Sequence, residues 1–63
     1  MTELQIQIVE LMAIAGIEEE CCERVMEYLE TEEQQKQMLK FMKEHPTATN
    51  NQVATKTIEI IKN

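Results

Sequence analysis

Few side chains in this chain are equipped for chemistry. There are two adjacent thiols, Cys21 and Cys22, one imidazole at His45, and twelve carboxylates, all of them Glu. Ser and Asp are absent. Nucleophilic catalysis needs an activated Ser, Cys, Thr or Lys beside a base. The cysteines fall on the inward side of an amphipathic segment, where a thiol is an inert packing group. The imidazole lies a whole helix away in sequence. Zinc ligation asks for paired Cys or His roughly two to five residues apart, which an adjacent pair with one distant His does not meet. A calcium loop of the EF-hand type requires Asp or Asn with a Gly at set positions. Iron or manganese in a helical bundle uses Glu-x-x-His pairs, and the Glu nearest before His45 is its immediate neighbour, Glu44. No catalytic residue, cofactor or metal is expected. His45 reads as a helix-ending residue placed before Pro46.

The elements that carry these residues form an all-α pattern, a compact bundle of four short helices at about 3–15, 18–29, 32–44 and 50–62. Thr2 caps the first helix and Gly16 stops it, because Gly is the usual left-handed residue after a helix end. Leu4, Ile8, Leu11, Met12 and Ala15 share one face at about 100° per residue. Ile6, Val9 and Ala13 form a second apolar stripe. A helix apolar on two sides is buried on two sides.

The second helix turns Cys21, Cys22, Val25, Met26 and Leu29 inward after Ile17 leads in. Glu18, Glu19 and Glu20 suit its electropositive start. The third helix opens with the capping box Thr31-Glu32-Glu33-Gln34. Its first turns are polar and are expected in solvent, with Met38, Leu39, Phe41 and Met42 as the apolar face. The fourth begins after Thr47 or Thr49, and Thr49 with Gln52 repeats that spacing. Val53, Ala54, Thr57, Ile58 and Ile61 are its expected inner stripe, with Ile60 lying off it. Most of the five methionines, Met1, Met12, Met26, Met38 and Met42, read as core filler.

The net charge of −6 is unevenly spread over the 63 residues. Ten Glu against Arg24 give residues 1–35 a charge of −9, whereas five Lys against Glu44 and Glu59 give residues 36–63 a charge of +3. An acidic front half repels phosphate backbones and anionic membranes. No apolar run approaches the roughly 18–20 residues of a membrane span. Met1-Thr2-Glu3-Leu4 is no secretory signal. A cytoplasmic protein without a membrane or nucleic-acid partner is expected.

Residues 10–29 resemble a helix-turn-helix of the bacterial repressor type. Ala15-Gly16-Ile17 occupies the turn, and Cys22, Val25 and Met26 match apolar positions of the second helix. Met12 departs from the small residue usual there. The resemblance implies DNA binding, yet the recognition surface would present Glu18, Glu19, Glu20, Glu23, Glu27 and Glu30 with only Arg24, and phosphate contacts need cations. Read on through Met42, the stretch is also similar to a ubiquitin-associated domain, without the Met and aromatic of that family's turn, so no site residue carries over. The segments Thr31-Glu32-Glu33-Gln34-Gln35 and Pro46-Thr47-Ala48-Thr49 resemble those of small helical proteins of Gram-positive gut anaerobes, which implies no activity.

The reading that follows is a non-enzymatic module acting by protein–protein contact, pairing with itself as a homodimer or higher assembly, or with another protein. Ile6, Val9, Ala13 and Ile60 are the expected interface. The alternative is a DNA-binding or mobile-element regulator of helix-turn-helix descent using Lys36, Lys40, Lys43, Lys56 and Lys62. A third is an acidic mimic of nucleic acid.

Overall fold

The computed structural model describes residues 1–62. Four helices follow one another: α1 (Glu3–Ala15), α2 (Glu19–Tyr28), α3 (Glu32–Glu44) and α4 (Asn50–Lys62). Their ends follow from local chemistry. The Thr2 hydroxyl accepts from Gln5 N–H at 3.2 Å while the Gln5 side chain accepts from Thr2 N–H at 2.8 Å. Thr31 with Gln34 and Thr49 with Gln52 form the same reciprocal pairs. Each box satisfies amide donors that the first helical turn leaves without partners. Gly16 ends α1 in the left-handed region, at φ 85°. The backbone then turns sharply, with Ile17 N–H donating to the Met12 carbonyl at 3.0 Å.

The helices close a ring. α1 packs on α2 and α3, and α4 packs on the same two. Ile8, Met12, Leu29, Met38, Met42, Val53 and Ile60 fill the centre and are fully buried. Three of these seven, Met12, Met38 and Met42, are methionines, whose flexible side chains fill irregular gaps. The resulting globule measures 24 × 23 × 22 Å.

Three expectations change. Glu18 takes the N-cap position of α2 without joining the helix and without a side-chain capping bond, and Leu29 leaves the helix to enter the core. Gln35 is buried although its neighbours are polar: its side-chain amide donates to the Leu29 carbonyl at 2.9 Å, satisfying an acceptor freed where α2 ends.

The largest change is in α4, whose inward stripe is Val53, Thr57 and Ile60. Ile60 is only 1% exposed, so it belongs to the core and cannot line an interface. Ile58 and Ile61 point outward instead. Both stripes obey helical spacing, and the position of α4 between α2 and α3 selects the one centred on Thr57. Thr57 tolerates that place because its hydroxyl donates to the Val53 carbonyl at 2.8 Å.

Candidate interaction site

The groups suited to chemistry are dispersed. Cys22 is buried, its sulfur 4.0 Å from the Ile17 carbonyl oxygen. Burial holds its thiol above the usual cysteine range, and Cys21, Glu19 and Glu23 push it the same way. Cys21 is half-buried on the neighbouring side of α2. His45 sits at the C-terminal end of α3, where its ring lies 4.7 Å from that of Phe41 and its backbone N–H donates to the Phe41 carbonyl at 2.9 Å. The Lys56 ammonium stands 5.8 Å from the same Phe41 ring, within cation–π reach. Among the described residues, no three His, Cys or Glu side chains gather where they could hold a metal ion. Nor is any helix among the described residues long and apolar enough to cross a membrane.

What the fold does assemble is surface. A groove of about 540 Å³ runs between α2 and α4. Cys21, Val25, Ala54 and Thr57 line it, and Tyr28, Ile58 and Ile61 stand along it 57%, 50% and 40% exposed. Isolated apolar residues on a surface are ordinary, but several around one concavity are not. Its charged lining is mixed: Glu18 and Glu20 against Arg24. The helices forming it are tied at their starts, where Glu18 N–H donates to the Asn50 side chain at 3.0 Å. That bond gives α2 the cap that Glu18 itself does not supply.

A second groove, of about 460 Å³, lies on the other flank of α2, against α1. Val9, Met26, Cys22 and Met1 provide its apolar lining, and Glu19, Glu23 and Glu27 its charge. Of the expected interface residues, Ile6 (43% exposed) and Ala13 lie open on α1, Val9 is half-buried in this groove, and Ile60 is inside. The α1 stripe is therefore accessible, but it shares nothing with Ile60. The exposed apolar residues of α4, Ile58 and Ile61, gather with Tyr28 in the other groove. Ile14 is 79% exposed and lines neither.

Sequence reasoning passed over Tyr28. The signal was available: Cys21, Val25 and Tyr28 recur at helical spacing along one flank of α2, and Tyr is favoured at interfaces because its ring is apolar and its hydroxyl tolerates water.

No protein-family model matches the chain, nor does any curated protein or solved structure.

Proposed function

We propose that this protein is a non-catalytic interaction module that associates with further copies of itself through the α2–α4 groove. The observation that carries the reading is the cluster of Tyr28, Ile58 and Ile61, three large, open side chains around one concavity. Covering them removes apolar area from water, the main driving force for association. The lining charges suit self-pairing. With Arg24 facing the Glu20 or Glu18 carboxylate of a second copy, a two-fold contact repeats an attraction instead of a repulsion. A standard interface takes about 800 Å² from each partner, close to a fifth of this chain's 4419 Å² of accessible surface.

The two free thiols fit a reducing compartment, and we place the protein in the cytoplasm. DNA binding is the weaker reading, because the helix that would enter the groove carries exposed Glu19, Glu20, Glu23 and Glu27 against Arg24.

Light scattering across a dilution series tests the proposal. A mass that rises with concentration towards twice 7.4 kDa supports it. A constant mass of 7.4 kDa up to millimolar protein contradicts it.

A further inference from the structure

The geometry points to a second docking site, the α1–α2 groove, whose occupant is a cationic amphipathic helix of another protein. This inference stands apart from self-association, since it uses the opposite flank of α2 and a different charge pattern.

The floor is apolar and pliable. Val9 and Met26 line it half-buried, and Ile6 and Ala13 continue the Val9 stripe along α1 into solvent. Methionine thioethers adapt their shape to an incoming side chain. An amphipathic helix lays apolar residues spaced i, i+3, i+4 and i+7 on such a floor.

The rim specifies charge. Glu19, Glu23 and Glu27 recur on successive turns of α2 and all three line this groove. Like charges at that spacing repel and weaken the helix that bears them. Among the described residues no Lys or Arg forms an ion pair with the row, and the one ion pair joins Lys36 to Glu32, at 3.4 Å on α3. Met1, which also borders the groove, is 85% exposed. A row of unpaired carboxylates beside an apolar floor is complementary to a helix with Lys or Arg along one edge of its apolar stripe.

A second copy of this chain does not supply that helix. Its exposed Lys36, Lys40 and Lys43 lie on α3, which exposes no large apolar side chain to serve as an anchor. On α4 the exposed Ile58 and Ile61 are flanked by exposed Lys62 and Glu59, a lone cation set against a carboxylate in place of a Lys edge.

The test is fluorescence anisotropy with three labelled synthetic peptides of about 16 residues, long enough for partial helicity. One is amphipathic with a Lys edge, one is the same composition scrambled, and one replaces each Lys with Glu. The Lys-edged peptide should bind saturably, with the scrambled and Glu peptides weaker by about tenfold or more. The triple variant Glu19→Gln, Glu23→Gln, Glu27→Gln should lose about tenfold in affinity for the Lys-edged peptide. The corresponding triple Lys variant should lose more. Circular dichroism confirms that both variants fold, and their self-associated mass should equal that of wild type. A double variant Ile58→Glu, Ile61→Glu should bind the peptide as wild type does, whatever its mass. Absent binding, equal binding of the scrambled peptide, or undiminished binding by the triple variants overturns the proposal. So does dissociation of the self-assembly by the triple Gln variant, which would assign the Glu row to a contact between copies.

Discussion

The two flanks of α2 are built on one plan and differ in what surrounds them. Each is a groove with half-buried apolar lining between α2 and a neighbouring helix. Towards α4 the surround is aromatic and aliphatic, with Arg24 set against two Glu. Towards α1 it is three Glu in a row with no Lys or Arg. Near-balanced charge lets identical surfaces meet, whereas a single sign demands an unlike partner. In a chain this short, one helix can serve two contacts because both of its flanks escape the core.

The comparison depends on the rotation of α4, and that rotation provides its most severe test. Ile60→Ala should cost about 2–5 kcal/mol, the range for truncating a buried aliphatic side chain. Ile58→Ala and Ile61→Ala should each stay within about 0.5 kcal/mol. Urea denaturation measures all three. Equal losses at the three positions would mean that Ile58 and Ile61 are core and the α2–α4 groove is closed.

The joints of the two grooves can be loosened separately. Gly16→Ala acts between α1 and α2. No atom beyond the adjoining residues lies within 4 Å of the added Cβ, so the cost is that of a left-handed L-residue, about 1–2 kcal/mol. Asn50→Ala removes the bond joining the starts of α2 and α4 and should cost about 0.5–1.5 kcal/mol. Peptide binding should suffer in the first variant more than in the second, and self-association in the second more than in the first. Thermal melts with both binding assays separate these outcomes.

The adjacent thiols report on the two sides at the smallest scale. Cys21 should react with iodoacetamide faster than Cys22, and its rate should fall as protein concentration rises and the α2–α4 groove is covered. Cys22 should stay slow throughout, because burial favours its neutral thiol. The same shift gives a pH dependence. Above about pH 8.5, an unfolded chain loses this proton while the native chain keeps it, so native stability falls as pH rises towards the higher folded value. Relative to Cys22→Ala, wild type should therefore lose stability more steeply in that alkaline range, as measured by urea midpoints at each pH.

Local chemistry was largely legible in the sequence, the ends of α2 at Glu18 and Leu29 excepted. Thr31 with Gln34, Thr49 with Gln52, and Gly16 each act within a few residues of themselves, so spacing alone located helix ends that the structure contains. Tertiary choices were less legible. Ile58, Ile60 and Ile61 permit two inner stripes for α4, and only its two neighbouring helices decide between them. Gln35 looked like solvated surface because its partner, the Leu29 carbonyl, becomes available only where α2 unwinds. The second apolar stripe of α1 leaves Ile6 and Ala13 exposed and Val9 half-buried, while the larger apolar cluster forms where Tyr28 of α2 meets α4, a juxtaposition that no single helix encodes.

Sedimentation velocity on two variants, side by side with wild type, addresses the central claim most directly. Ile58→Glu with Ile61→Glu should hold the protein at 7.4 kDa at concentrations where wild type is assembled, and Val9→Glu should leave the assembly intact. Assembly that survives the α4 substitutions but is lost on changing Val9 would contradict the account and return the self-contact to α1.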